Sequence, residues 1–356
     1  MRTSQNPNES HEEDGDSSSI TTTSREATNT ELNLIVYSMA TNEPALQFHT
    51  SSVPLSLGVT ADLGKLYLAA VDVRCDDWRV SMYIDSHPNH RLIHLYRLAT
   101  NTDTLNITNN TSINKTHIES ELLPDTYEKV KDRVREFIKE SYTYKDANNV
   151  LIIQGHGDPQ LISTFHSVGI LSDGSSDSLR ITDLARDIKR LHVNSPSSMK
   201  PFKVIALDSC CLATLENVVT LMEVTDYIVA FQDEAPWNGF VNAYLLELLC
   251  GDEEWPKKLV GVMQVYAHDA LSQDKPSGMS LLATEHSNEL LELVRVVTPL
   301  TAKPQPRDIV SYVLPRTPTH TQQRLKQLLG RVLLAHVMPE NAARRREQRN
   351  GLNVFV

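Results

Sequence analysis

Two short apolar runs, each followed directly by a chemically reactive side chain, constrain this chain more than any other feature. Val204–Leu207 is long enough for one buried strand and is followed by Asp208-Ser209-Cys210-Cys211. Val150–Ile153 is a second run of the same kind, and it leads into Gly155-His156-Gly157. Uninterrupted apolar runs of this length are typical of parallel strands that are covered on both faces. The sequence therefore predicts two central strands with a thiol and an imidazole at their ends.

We expect Cys210 and His156 to meet at one edge of that sheet, because ligands bind outside the carboxyl ends of strands in open α/β sheets. The chain between them is long enough for one helical crossover. The two glycines around His156 allow a sharp turn that exposes the ring. A helical pattern after Cys211 indicates that the thiols lie at a helix start, where the helix dipole lowers the pKa of a thiol. A cysteine beside an imidazole proton donor is the pattern of a nucleophile in covalent catalysis.

The rest of the chain alternates between apolar runs and helical patterns, which predicts an α/β fold with a mostly parallel sheet. Further strands are predicted over 32–39, 78–84, 91–98 and 227–231, the first of them central. Helices are predicted over 63–73, 125–138, 182–191, 215–222, 241–250, 256–271, 285–298 and 320–337. Polar composition predicts loops over 99–122 and 171–180.

The chain divides into three parts by composition. Residues 1–30 are rich in Ser, Thr, Asn and Glu and are expected to be disordered. Residues 31–298 hold the predicted strands and most of the helices, and form one domain. Residues 299–356 are interpreted as a Pro-rich linker up to residue 318, then a helix, then a basic tail around Arg344-Arg345-Arg346.

Charge and cysteine content restrict the partners and the compartment. The net charge of −11 argues against general nucleic-acid binding and against anionic membranes. The 4 cysteines show no zinc-binding spacing, and adjacent Cys210 and Cys211 rarely pair with one another, so a reduced compartment is expected. No stretch suits a signal peptide or an apolar membrane span. We expect a cytoplasmic protein, or one exported without a cleaved signal peptide.

The order of these pieces resembles the clostripain family of cysteine peptidases, within the caspase-like group that includes gingipains, legumains and separase. The resemblance rests on the strand ending in His156-Gly157, on the strand ending in Asp208-Ser209-Cys210, and on Asp226–Phe240, which contains the next predicted strand and the segment after it. Ser280-Leu-Leu-Ala before a helix is similar to a family pattern as well. The resemblance implies a caspase-like three-layer sandwich, with helices on both faces of a mostly parallel sheet.

The resemblance also implies roles for individual residues in the hydrolysis of peptide bonds. Cys210 is the expected nucleophile, and His156 protonates the leaving nitrogen. Strand alternation, independently of the resemblance, predicts that Cys210 points the same way as Asp208 and that Cys211 points to the opposite side, into packing. The main-chain N–H groups of Gly157 and Cys210 are the expected oxyanion donors. Asp208 matches a position that accepts Arg or Lys at P1, the substrate residue before the cut bond. Expected additions to this substrate pocket are Asp233, Glu234 and Trp237.

Family members often mature by cutting their own chain between the two strands, and Arg180 is the candidate cleavage site here. No cofactor or metal is expected, and a calcium requirement stays open. The expected partner is a protein or peptide substrate; that of the C-terminal helix and tail is unknown. Two alternatives remain at this point: a caspase-like signalling protease of different specificity, and an inactive caspase fold that serves as a binding or regulatory module.

Overall fold

The computed structural model describes the part of the chain that carries the predicted strands and most of the predicted helices. The described residues are 32–39, 78–85, 91–97, 119–122, 130–142, 147–158, 161–163, 178–192, 200–233, 235, 245–250, 253–269, 278–298, 306–338 and 351–355.

Strands and helices alternate through most of these residues. The strands are β1 (Leu32–Met39), β2 (Trp78–Asp85), β3 (Arg91–Arg97), β4 (Glu119–Leu122), β5 (Asn148–Gln154), β6 (His156–Asp158), β7 (Leu161–Ser163), β8 (Ser178–Arg180), β9 (Phe202–Asp208), β10 (Thr225–Phe231), β11 (Met279–Ala283), β12 (Pro306–Asp308), β13 (Leu333–Val337) and β14 (Asn353–Phe355). The helices are α1 (Val130–Ser141), α2 (Ile181–His192), α3 (Leu215–Leu221), α4 (Leu245–Cys250), α5 (Trp255–Asp269), α6 (Ser287–Val297), α7 (Leu314–Arg316) and α8 (Thr319–Val332), with a π-helical turn at Ile309–Val313.

Nine of the described strands form one sheet in the order β13-β11-β10-β9-β5-β1-β2-β3-β4. The five strands from β10 to β2 in that order run parallel. Antiparallel pairs extend the sheet at both sides. The parallel neighbours β5 and β9 are the two strands whose ends carry the predicted thiol and imidazole, which confirms that part of the prediction.

The middle residues of the central strands are apolar because both faces of the sheet are covered. On β9, Ile205 and Leu207 enter one core cluster, which receives α1, α2, α3, α6 and α8. Val204 and Ala206 enter the other cluster, which receives α4 and α5. Alternate residues of a strand point to opposite faces, so one run of apolar residues supplies both cores. The three-layer α/β sandwich is confirmed.

The prediction of a linker over 299–318 is wrong for residues 306–318, which pack onto the domain. Pro306–Asp308 is a strand, and Ile309 and Val313 of the following π-helical turn are buried in the core with α8. The predicted helix over 320–337 ends at Val332, after which the chain pairs with β11 as β13. Burial of the apolar side chains at 309 and 313 favours packing onto the domain. This gain outweighs the tendency of a proline-rich segment to form an extended linker.

Two polar segments predicted as loops contain short strands. Glu119–Leu122, inside the predicted loop 99–122, pairs with β3 at the sheet edge. Ser178–Arg180, inside the predicted loop 171–180, pairs with β7 in a small sheet with β6. Edge strands are exposed on one side and need no apolar pattern, so composition did not reveal them.

Several predictions fall on parts of the chain that the structure does not describe. These are disorder over 1–30, the helix over 63–73, the start of the helix at 125–129 and the tail at Arg344–Arg346. In the described portion of the chain, no helix has the length and apolar character that crossing a membrane requires.

Leu325→Ala tests whether the C-terminal segment belongs to the same cooperative unit. Leu325 lies on α8 and is fully buried in the core. Deleting its side chain should lower the free energy of unfolding by about 2–5 kcal/mol, measured by urea denaturation. The control Val296→Ala, at a residue of α6 that is 81% exposed, should change the free energy of unfolding by less than about 0.5 kcal/mol. An unchanged main transition in Leu325→Ala would contradict the single core.

Candidate active site

The ends of β5 and β9 are tied together by polar contacts. Gln154 lies opposite Asp208 in the strand register. The Gln154 side-chain amide donates to Asp208 Oδ2 at 2.8 Å, and the Gly155 N–H donates to the Asp208 carbonyl at 3.3 Å. Both Gln154 and Asp208 are buried. The two strands therefore deliver His156 and Cys210 to the same edge of the sheet, as predicted.

Gly157 lies directly against the main chain of Cys210. A Cβ atom built on Gly157 would stand 2.2 Å from the Cys210 carbonyl oxygen and 2.5 Å from its nitrogen. Real Cβ atoms do not approach backbone atoms so closely, so only glycine fits here. This contact places the residue next to His156 in van der Waals contact with the residue that carries the thiol.

His156 begins a strand, where the sequence predicted only a turn. After a bend at Gly155, His156–Asp158 pairs antiparallel with Leu161–Ser163, with His156 opposite Ser163. The His156 side chain is half-buried. Its main chain is thus fixed on one side by strand pairing and, through Gly157, on the other by Cys210.

The predicted helix start at the thiols is wrong. Helix α3 begins at Leu215 and is capped by the Thr214 hydroxyl, which accepts from the Asn217 N–H at 3.3 Å. Cys210 therefore lies before a loop, away from the helix N-terminus. Its half-buried sulfur instead accepts a hydrogen bond from the Ala235 N–H at 3.2 Å. An N–H group that donates to sulfur stabilises a thiolate more than a thiol. The Ala235 N–H therefore takes the place of the helix dipole that was expected to stabilise the thiolate.

Cys211 turns the chain sharply after the thiol. Its φ of 60° lies in the left-handed region, which non-glycine residues adopt uncommonly. The Cys211 N–H donates to the Asp233 carbonyl at 2.8 Å. Cys211 is half-buried.

Tyr266 adds a buried hydroxyl near the thiol and the acid. It lies on α5, is 1% exposed and packs edge-on against Phe231 with ring centroids 5.4 Å apart. Burial raises the pKa of Tyr266 well above its usual value, and the charges of Asp208 and Cys210 raise it further. Among the described residues, the Tyr266 hydroxyl has no hydrogen-bond partner. It therefore stays protonated at neutral pH, within electrostatic reach of both groups.

The structure brings four of the predicted site residues together: Cys210, His156, Gly157 and Asp208. Asp233 joins them through its carbonyl, which holds the Cys211 N–H, and its side chain is half-buried. Glu234 and Trp237 lie outside the described residues.

The sequence prediction missed three contributors to the site. Gln154 could have been found from the sequence, because it is the first polar residue after the apolar run of β5. Asp208 is the first polar residue after the run of β9, and the two residues are paired in the strand register. Ala235 contributes a main-chain N–H and Tyr266 sits on an apolar helix, and neither position carries a sequence signal. In the described part of the chain, no group of three or more His, Cys, Asp or Glu side chains is placed to hold a metal ion.

Gly157→Ala should destabilise the protein by about 1–3 kcal/mol, because the two backbones must separate to admit the methyl group. It should also slow alkylation of Cys210 by iodoacetamide. A displaced Cys210 would lose the hydrogen bond from the Ala235 N–H to its sulfur, and this bond favours the reactive thiolate. Urea denaturation and mass mapping of the labelled cysteine measure the two effects.

Gly330→Ala is the matched control, because nothing lies within 4 Å of a Cβ built on this helical residue. It should stabilise the fold by about 0.5–1 kcal/mol and leave alkylation unchanged. Equal behaviour of the two variants would show that the contact between Gly157 and Cys210 is not close.

The sequence of this chain matches a known protein family. The model of the clostripain family of C11 peptidases matches residues 82–305, more than half of the chain. A search of curated proteins gave no match.

Solved structures show the same fold. An inactive zymogen C11 protease from Parabacteroides distasonis has a TM-score of 0.65 at 16% identity, over 92% of both chains. A secreted C11 cysteine protease from Bacteroides thetaiotaomicron, in complex with an irreversible peptide inhibitor, has a TM-score of 0.65 at 13% identity, over 92% of this chain and 93% of that one. With Cys210 and His156–Gly157 at adjoining strand ends and the family model covering both, the chain belongs to the clostripain family and is a cysteine peptidase.

Proposed function

We propose that this peptidase is an endopeptidase that cleaves after Arg or Lys through Cys210 and His156. The observation that carries the proposal is the contact of Gly157 with the Cys210 main chain, which supports a shared site for the thiol and the imidazole. The expected substrate is a protein or peptide. A structural neighbour crystallised with a peptide inhibitor supports this substrate class.

The proposed reaction passes through a thioester. The Cys210 sulfur attacks the scissile carbonyl carbon, and the main-chain N–H groups of Gly157 and Cys210 stabilise the oxyanion. The C–N bond then breaks as His156 gives a proton to the leaving nitrogen. Water hydrolyses the thioester and returns the thiol. These groups suffice for acyl transfer, so we propose that hydrolysis itself needs no cofactor.

The basic preference is proposed on the buried acid beside the thiol. Asp208 is 5% exposed, and Gln154 orients its carboxylate by a 2.8 Å hydrogen bond. A buried carboxylate attracts a cation strongly, and a guanidinium can bind it in a bidentate manner. The protonated hydroxyl of Tyr266 lies near the same carboxylate. Asp233 is proposed as a second wall of this pocket, along with Glu234 and Trp237.

The location is proposed as the cytoplasm, or the exterior reached without a cleaved signal peptide. One structural neighbour is described as a secreted protease, which supports export.

A scan of fluorogenic peptides that differ at P1 tests activity and specificity together. Wild type should hydrolyse Arg and Lys peptides, and Cys210→Ala or His156→Ala should abolish hydrolysis. Asp208→Asn should lower kcat/KM on Arg and Lys peptides by at least about 30-fold, the loss expected when one partner of a buried charge pair is removed. Peptides with an uncharged P1 residue should be unaffected.

Asp226→Asn is the matched control for the specificity arm. Asp226 lies near the start of β10, whereas the site lies beyond the ends of the parallel strands. It forms ion pairs with Lys200 and Lys203. The substitution should leave kcat/KM unchanged for every peptide. Efficient cleavage after uncharged or acidic residues would instead support a caspase-like signalling protease of different specificity.

Self-cleavage after Arg180 is proposed as the maturation step. Arg180 is exposed, and it ends β8, two strands from the strand that begins with His156. Its pairing with Leu161 means that β8 must detach before the bond can be cut. A zymogen among the structural neighbours supports a maturation step in this fold.

Intact-mass spectrometry tests this step on purified protein. Wild type should separate into two chains divided after Arg180, whereas Cys210→Ala and Arg180→Gln should stay intact. Because Arg180→Gln keeps the thiol and the imidazole, it should still react with iodoacetamide at Cys210. A wild-type mass that equals the full chain would refute self-cleavage.

A further inference from the structure

The C-terminal strand lies against the loop that carries the thiol. The Asn353 N–H donates to the Ala213 carbonyl at 3.0 Å, and Asn353 forms a β-bridge with Thr214. On the other side of the loop, the Ala213 N–H donates to the Phe231 carbonyl at 2.8 Å, and the Cys211 N–H donates to Asp233. The loop after Cys210 is therefore held between the end of β10 and β14.

The Gln232 side chain joins these two supports. Its amide nitrogen donates to Asn353 Oδ1 at 2.9 Å and to Asp308 Oδ2 at 2.8 Å. Its amide oxygen accepts from the Gly351 N–H at 2.7 Å. The Asn353 side-chain amide donates in return to the Gln232 carbonyl at 3.2 Å. Gln232 is 2% exposed, so these hydrogen bonds are shielded from water.

Packing and hydrogen bonding are divided between different residues of the strand. Leu352 and Val354 are each 1% exposed and belong to the main core, so they anchor the segment. Asn353 lies between them and makes the contacts to the loop and to Gln232. A buried amide costs stability unless it is fully paired, and pure anchoring would be served as well by an apolar side chain. The side-chain amide at 353 links the strand to Gln232, while the main chain of the same residue links the strand to the loop.

We propose that the strand Asn353–Phe355 positions the loop of Cys210, with Asn353 and Gln232 as positioning residues for the thiol. The proposal rests on the proposed function of Cys210 as the nucleophile. Asn353 fixes residues 213 and 214 directly. Gln232 connects Asn353 to Phe231 and Asp233, whose carbonyls hold the same loop. The last residues of the chain are thus part of the site's support, about 140 residues from the thiol in sequence and in contact with its loop.

Asn353→Ala in the full chain tests the proposal. A reactive group displaced by about 1 Å can cost about 100-fold in rate, so kcat on an Arg peptide should fall by about 10- to 100-fold. KM should change little, because Asp208 is untouched. The pH midpoint of Cys210 alkylation by iodoacetamide should rise, since a displaced sulfur loses the Ala235 donor.

Asn33→Ala is the matched control because it removes a buried asparagine side chain at a position far from the thiol. Asn33 is 1% exposed on β1 and donates to the Asn149 side chain at 2.8 Å and to the Ser141 carbonyl at 3.0 Å, at the opposite edge of the sheet. It should lower the melting temperature as Asn353→Ala does, with kcat and the alkylation midpoint unchanged. Asn353→Ser keeps a short polar side chain and adds no charge beside Asp308, which shares the Gln232 amide donor, so it should show the Asn353→Ala effects more weakly and covers the case that the alanine variant does not fold.

The outcomes separate the proposal from the proposed function. If both asparagine variants lose stability but keep wild-type kcat and alkylation, the strand only anchors the chain and the positioning proposal is overturned. If wild type hydrolyses no peptide, the proposed function fails, and the alkylation midpoints of the Asn353 and Asn33 variants still decide whether β14 positions the thiol.

Discussion

The contact between the Gly157 and Cys210 main chains is the constraint on which the site depends. Neighbouring parallel strands are fixed about 4.8 Å apart by their hydrogen bonds, so the chains leaving β5 and β9 begin close together. The segment after β5 then passes over Cys210 at a distance that excludes a Cβ atom. This approach needs glycine at 157, and it places the histidine at 156 beside the thiol-bearing residue. The pairing of β6 with β7 and the Gln154–Asp208 hydrogen bond hold both sides in place.

The central sheet could be predicted because burial on both faces leaves a direct trace in the sequence. Val150–Ile153 and Val204–Leu207 are apolar at every position, and each is a strand in the structure. Strands at the edge lack this trace. Glu119–Leu122 is polar enough to resemble a loop, and Leu333–Val337 continues a helical pattern before it pairs with β11. In such segments the pairing partner, distant in sequence, decides the structure over local preference.

The chemistry of the site was predictable where it is carried by side chains and hidden where it is carried by the backbone. Cys210, His156 and Asp208 each end an apolar run, which marks the functional edge of a parallel sheet. The donor to the sulfur is the N–H of Ala235, a group that every residue but proline has. The contact between Gln232 and Asn353 spans 121 residues and follows from no local pattern. Contacts of this kind are specified by the fold as a whole and leave no local pattern in the sequence.

Burial of the acid and the hydroxyl together determines the charge of the proposed pocket. Asp208 lies at 5% exposure and Tyr266 at 1%, so neither is solvated by bulk water. The raised pKa of Tyr266 keeps its hydroxyl neutral, so this buried group adds no negative charge of its own. A cationic side chain entering the pocket would therefore meet the buried Asp208 carboxylate, which offsets part of the cost of its own desolvation. An uncharged side chain would gain no such attraction, so burial of the carboxylate widens the difference in kcat/KM between basic and uncharged P1 residues.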